Sequence, residues 1–403
     1  MNVLFLTLGK VNSIHEPGIY NDLLCEFAEN GHKVYIVSPV EKRENKKTEL
    51  CVEDGVTILH QEIDNIQKVN NIIKKGIATV TVGSKFKSGI KKYFSNVKFD
   101  LVLYATPPIT FLGVVRYLKK RDNAFCYLML KDIFPQNSVD LGMMSKSGVG
   151  GQIYNYFRRK EIKLYEISDE IGCMSPKNVE YVLNHNKIDS KKVELSPNSI
   201  RPKDLSIDEN MRLKMRQKYG IPTDKTVFVY GGNLGKPQGV DFIIDCLKKQ
   251  YSDEVFFFIV GNGTEYNKLN EFFKKQSPKN AMLMEKLPRE EYDSLVSACD
   301  VGLIFLDKRF TIPNYPSRLL AYLQAKLPVL ACTDVNSDIG QTITENGFGW
   351  WCESKNADDF VKTVATATKT DLKQYGKIGY DYLVDNFNTA KQYETIMSAV
   401  GGK

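Results

Sequence analysis

Tryptophan and histidine are scarce in this chain, with two and four copies among 403 residues. The eight cysteines never approach CxxC spacing, and no HExxH or paired His/Cys pattern occurs. A structural or catalytic zinc site is thereby disfavoured, and the thiols are expected free and reduced. No apolar run reaches the roughly 20 residues that a bilayer-spanning helix needs. The nearest one, residues 101–115, is interrupted by Pro107 and Pro108 and closed by Arg116. The opening MNVLFLTLGK has neither a charged leader nor a small-residue cleavage site, so a cytoplasmic protein is expected. Acidic residues are also missing over one long stretch. Residues 68–99 hold no Asp or Glu, yet contain Lys68, Lys74, Lys75, Lys85, Lys87, Lys91, Lys92 and Lys98.

What is present describes a globular protein, 42% hydrophobic and 26% charged, with a net charge of +7. The length calls for two domains of about 150–200 residues each. Phe86, Ile90 and Phe94 recur at helical spacing inside the acid-free stretch. A basic amphipathic helix is expected there. Such a helix can lie peripherally on an anionic membrane, each well-placed lysine adding about 1 kcal/mol. Nucleic acid is a poor partner, because no recognised module accompanies the charge.

Short apolar runs alternate with helical patterns along the chain. NVLFLTL, KVYIVS, DLVLYA, FCYLML and DEIGCMS fill the first half; TVFVYGG, VFFFIV, AMLMEK, VGLIFL and PVLA fill the second. This alternation predicts an α/β protein of two doubly wound, Rossmann-like domains with parallel strands. Their expected bounds are 1–200 and 201–386, with residues 387–403 returning to the first. SPNSIRPKDLS, residues 196–206, reads as the linker. Ligands of such sheets bind outside the carboxyl ends of the strands, so a cleft between the domains is the expected site.

Four loops at those ends carry candidate chemistry. In residues 7–20, Gly18 opens a helix where backbone could approach a ligand. In YLMLKDIFPQNSVDLG, Lys131 and Asp132 follow a buried strand, and Asp132 is a candidate base or hydroxyl-binding carboxylate, or else a helix cap. In GGNLGKPQGVD, residues 231–241, Gly232, Asn233 and Gly235 can turn N–H groups toward a phosphate that Lys236 would neutralise. Pro237 stands where a Walker loop needs Ser or Thr, so that motif is excluded. Gly261 and Asn262 in VGNG lack the third glycine of a dinucleotide fingerprint. Finally, TIPNYPSRLLAYLQAKLPVLA places Pro316, Ser317, Arg318 and Leu319 at a helix start. Free N–H groups and a guanidinium there would suit phosphate. An arginine merely meeting solvent is the plain alternative.

Together, GHKVYIVS, KDIFPQ, SPN, GGNLGKPQGVD, VGNG and PSRLLAYLQAKLPVLA resemble GT-B glycosyltransferases of family 4, in the branch that assembles bacterial capsule and O-antigen units. The resemblance spans the chain. It implies a GT-B architecture, with the C-terminal domain holding a nucleotide sugar and the N-terminal domain an acceptor. Transfer would proceed with retention and without a metal or other cofactor. The donor would be UDP-linked, the sugar an N-acetyl-hexosamine type, and the acceptor a polyprenyl-diphosphate-linked saccharide at the inner face of the membrane. Arg318, Lys131 and Asp132 would be catalytic, and Gln238 and Gln324 would join the donor site. One departure stands out. The family's two glutamates fall at Pro313 and Ala321, so both carboxylates are missing. A non-catalytic nucleotide-sugar-binding protein, or a UDP-sugar epimerase, are the alternatives.

Overall fold

The computed structural model describes residues 1–66, 72–107 and 109–402. The chain divides into two compact units, Met1–Arg201 with Thr389–Lys403, and Pro202–Asn388.

The first unit is built on β1 (Asn2–Leu6), β2 (Lys33–Glu41), β3 (Glu49–Glu53), β4 (Val56–Ile63), β5 (Leu101–Ala105), β6 (Phe125–Leu130), β7 (Glu170–Cys173) and β8 (Val193–Leu195). Among the described residues they form one sheet in the order β3-β4-β2-β1-β5-β6-β7-β8. All neighbours are parallel except β3 and β4. That pair is a hairpin closed by Asp54 and Gly55, both at positive φ (47° and 79°), the conformation a tight primed turn requires. The hairpin is absent from the expected strand set, although its Asp-Gly turn stands in the sequence. The central strands read as unbroken apolar runs because helices cover both faces.

The helix Thr389–Gly401 belongs to this first unit. Tyr393 lies edge-on to Phe27 at 4.9 Å and shares a 2.9 Å hydrogen bond with His32. Gln392 donates to the carbonyl of Pro197 (2.8 Å) and receives the Ser199 hydroxyl. The stretch expected to be a linker is therefore packed structure in its first half. Ser196, Asn198 and Ser199 are all buried.

The basic amphipathic helix exists as Ile72–Tyr93, but its apolar face points inward. Phe86 and Ile90 are fully buried. Phe86 stacks on Phe111 at 5.3 Å, and Phe94 packs edge-on against Tyr35 and Phe99. Burial in the unit's own core removes that face from any membrane, which corrects half of the sequence expectation. What remains outward is charge: Lys85 pairs with Asp64, while Lys87 and Lys91 lie over the Tyr117 ring. Lys68, and the side chains of Lys74 and Lys75, fall outside the described residues.

The second unit is an all-parallel sheet of β9 (Thr226–Asn233), β10 (Val255–Asn262), β11 (Ala281–Met284), β12 (Val301–Phe305), β13 (Val329–Thr333) and β14 (Gly349–Glu353). Its order among the described residues, β11-β10-β9-β12-β13-β14, is that of a dinucleotide-binding sheet. The chain reverses direction across the sheet between β9 and β12, and a crevice opens where the loops leaving those strands part in opposite directions.

Candidate nucleotide-sugar site

A cavity of roughly 570 Å³ occupies that switch point. Its walls come from the carboxyl ends of β9 (Gly231, Gly232, Asn233) and β10 (Val260, Gly261, Asn262). The segment after β11 adds Lys286, Arg289, Tyr292 and Asp293, and the helix Arg318–Gln324 adds Arg318 and Ala321. Two strand ends meet closely here. Gly261 pairs in register with Gly232, and a Cβ on Gly261 would run into the Gly232 carbonyl oxygen. Gly232 itself has φ +128°, a conformation side chains rarely adopt, and a Cβ there would sit in ordinary contact, 3.5 Å, with the Arg318 guanidinium.

Three tyrosines seat Arg318. Its guanidinium carbon lies 4.3 Å from the centre of the Tyr230 ring, a cation–π contact. The Tyr230 hydroxyl donates to the carbonyl of Asn233 at 2.6 Å and fixes the end of β9. Tyr322 accepts the Gly231 N–H (3.2 Å) and donates to the Leu303 carbonyl (3.0 Å), tying the arginine's helix to β9 and β12. Burial holds the Tyr322 phenol up at about 12 and raises those of Tyr230 and Tyr292 as well. All three rings stay neutral, so none offers Arg318 a counter-charge.

Nη1 of Arg318 is buried and has no hydrogen-bond partner among the described residues. Another buried arginine of the same unit gives the contrast. Arg216 donates through Nε to Ala298, through Nη1 to Pro222 and Lys225, and through Nη2 to Asp300. A structural arginine is satisfied in this way, since an unpaired buried charge costs several kcal/mol. Arg318 Nη1 has no such partner among the described residues. Lys286 and Arg289 add positive charge to the cavity, against the single carboxylate of Asp293.

Gly232, Asn233, Gly261, Asn262 and Arg318 line the cavity together. Gly235 and Gln238 shape the turn beside it: Gln238 Oε1 accepts from the Gly235 N–H and from Asn233 Nδ2, both at 3.0 Å. Lys236 opens a short 3₁₀ turn and is exposed, outside the cavity lining. Pro316 and Ser317 precede the helix, but the Leu319 N–H is already given to the Pro316 carbonyl at 3.2 Å, which withdraws it from the expected set of free donors. Gln324 spends its side-chain oxygen on the Lys203 N–H and its carbonyl on Leu205. Gly18 belongs to the first unit, where a Cβ would meet nothing within 4 Å, so no close approach there demands glycine. Sequence reasoning missed Lys286, Arg289, Tyr292 and Asp293. Their signal was KLPREEYD leaving β11 at the same end of the sheet as the glycine loops.

In the first unit, Lys131 and Asp132 follow directly on β6. The Lys131 ammonium is buried without a hydrogen-bond partner among the described residues, and burial lowers it to about 7. Burial raises Asp132 to about 6, although Asn137 Nδ2 donates to its carboxylate at 2.8 Å. Thr106 receives the Lys131 N–H and donates to the Asp132 carbonyl, both at 3.2 Å. The Asp132 side chain does not cap the following helix Gln136–Asp140, whose N-cap is Pro135.

Residues 211–381 match the family model of glycosyl transferases group 1. This stretch is similar to the group 1 glycosyltransferase domain. The chain is 21% identical over 334 residues to the probable glycosyltransferase WbjE of Pseudomonas aeruginosa, covering 82% of this chain and 81% of that one. It is 20% identical over 309 residues to the putative colanic acid biosynthesis glycosyl transferase WcaI of Escherichia coli K12, covering 73% of each. Among solved structures, sucrose-phosphate synthase from Thermosynechococcus elongatus superposes with a TM-score of 0.78 at 14% identity, over 100% of this chain and 99% of that one. HepE of Anabaena in complex with UDP gives 0.71 at 12% identity, over 100% of both. The fold is that of the GT-B glycosyltransferases.

Proposed function

We propose that this chain is a retaining glycosyltransferase. It moves a sugar, of the N-acetyl-hexosamine type, from a UDP-sugar to a polyprenyl-diphosphate-linked saccharide in the assembly of a bacterial surface polysaccharide. The observation that carries the proposal is the buried, unpartnered Nη1 of Arg318 at the switch point of the second sheet. The group 1 domain match, the UDP bound in the HepE structure and the colanic acid role in the name of WcaI support it.

The chemistry asks little of the protein beyond charge placement. As the bond from the anomeric carbon to the diphosphate breaks, negative charge grows on the departing phosphate oxygen. A preorganised cation in a site closed to bulk water stabilises that charge without reorganising. Arg318 fills this role, with the amides of Ser317 and Arg318 and the glycine backbone of residues 231–235 beside it; Gly261 and Asn262 close the opposite wall. Lys286 and Arg289 supplement the charge, and Lys236 contributes from the rim. Asp132 orients a sugar hydroxyl, and Lys131 meets an acidic or hydroxyl oxygen of a substrate. The enzyme works in the cytoplasm, at the inner face of the membrane where its lipid-linked acceptor resides.

The test is UDP release from a panel of UDP-sugars, with and without a polyprenyl-diphosphate-linked saccharide. Release that requires the acceptor, with the donor's anomeric configuration kept in the product by NMR, is the expected result. One observation favours a second reading. Ala321, at the position of a missing family glutamate, lines the cavity itself. UDP binding with no acceptor-dependent release would point to a nucleotide-sugar-binding protein without turnover.

A further inference from the structure

The helix Ile72–Tyr93 turns its apolar face inward; a different helix of the same unit does the opposite. Gly148–Ile167 runs for 20 residues. Val149, Ile153 and Tyr156 recur at i, i+4 and i+7, and they are 77%, 48% and 40% exposed. Met143, in the turn before the helix, is 55% exposed. Four of the thirteen large exposed apolar side chains among the described residues thus fall within one short stretch, on one helix stripe and the turn that leads into it. A stripe of this kind facing water lowers stability and needs a reason.

The same stripe changes character along the helix. Beyond Tyr156 its positions are Arg159, Lys160 and Lys163, and Lys146 precedes it. Residues 141–160 contain no Asp or Glu. Arg158 is spent internally, on Glu161 at 2.7 Å and on Asn186. Lys146, Arg159, Lys160 and Lys163 enter no ion pair among the described residues. Lys160 lies over the Tyr156 ring at 5.0 Å and Lys146 over Tyr154 at 5.1 Å, so the cations border the aromatic side chains.

We infer that this stripe docks the protein on an anionic bilayer. Met143, Val149 and Ile153 enter the acyl boundary, Tyr156 lies at headgroup depth, and Arg159, Lys160 and Lys163 meet lipid phosphates. The apolar part is too small for a stable protein interface, which buries about 800 Å² per partner. Combined with four cations that enter no ion pair among the described residues it suits a lipid surface, where each contributes about a fivefold gain in partition. The inference depends on no assumption about the reaction catalysed.

The test is sedimentation of the full chain with vesicles of phosphatidylcholine, alone or mixed with phosphatidylglycerol. Binding is expected to the mixed vesicles only, and to weaken with added salt. Val149→Asp with Ile153→Asp should lower the partition coefficient by about tenfold or more. Lys160→Glu with Lys163→Glu, which leaves every apolar contact in place, should lower it at least as far. Lys87→Glu with Lys91→Glu, on the helix whose apolar face is buried, should change it by less than about fivefold. A parent chain that ignores mixed vesicles would overturn the inference. So would a Val149/Ile153 variant that binds like the parent with an unchanged melting temperature. A parent dimer dissociated by that same variant would assign the stripe to a contact between copies instead.

Discussion

Among the described residues, each unit has one buried cationic nitrogen without a hydrogen-bond partner near the carboxyl end of its sheet, and the two differ in kind. Arg318 is a guanidinium that no protein environment deprotonates, stacked on Tyr230 and fenced by neutral phenols. Lys131 is an ammonium lowered to about 7 by burial alone, beside an Asp132 raised to about 6. The first is a fixed charge, suited to a diphosphate that is always anionic. The second is a charge that can be surrendered near neutrality, suited to a position where a proton is exchanged or a neutral hydroxyl is held. Burying a cation is common to both; permanence separates them.

The sharpest break of this comparison is Arg318→Ala. Transfer should fall on the order of 10²–10³-fold with the melting temperature of the free protein kept or raised, measured by UDP release and calorimetry. Retained turnover would move the diphosphate elsewhere. Arg318→Lys should recover only part of the loss, because the planar fork and its stacking on Tyr230 are absent.

Next in size comes the pair in the first unit, where pH supplies the readout. Lys131 is lowered from 10.5 to about 7, so between those values the unfolded chain binds a proton that the native one lacks, and stability rises with pH. Asp132 is raised from 3.8 to about 6, so the native chain holds the extra proton in that window, and stability falls as pH rises through it. The pair therefore imposes a local minimum near pH 6–7. Lys131→Met should raise stability at pH 7 by about 1–3 kcal/mol and abolish the alkaline rise, while turnover drops. Asp132→Asn should flatten the acid side. Denaturant titrations across the pH range check both; unchanged profiles would mean the two groups are solvated.

Gly232→Ala probes the wall rather than the charge. At φ +128°, the substitution should cost about 1–3 kcal/mol and weaken UDP binding by distorting the end of β9. Lys236→Ala should be the mildest, a change of about fivefold or less in rate, since an exposed cation is screened.

Much of this molecule was legible in its sequence for one physical reason. Strands buried on both faces read as plain apolar runs, so β1, β5, β6, β9, β10 and β12 announce themselves. The β3–β4 hairpin hid because an edge strand with no buried residue, such as ELCVE, carries little apolar signal; its Asp-Gly turn was the only mark. The inward face of Ile72–Tyr93 was invisible too, since periodicity reports that a helix has an apolar face and not what covers it. The site split in the same way. Arg318 and the glycine ends of β9 and β10 were found from loop chemistry at strand ends. Lys286, Arg289 and Tyr292 were not, because a charged segment before a helix looks like ordinary solvated surface until topology brings it to the switch point. The commitment of Gln324 to Lys203 and Leu205 was beyond any local pattern.

One measurement addresses the central claim most directly: a crystal structure of the chain soaked with UDP. The diphosphate is expected in the cavity between Gly232 and Asn262, with an oxygen within hydrogen-bond reach of Arg318 Nη1. A nucleotide bound elsewhere, with Nη1 still unpartnered, would contradict it.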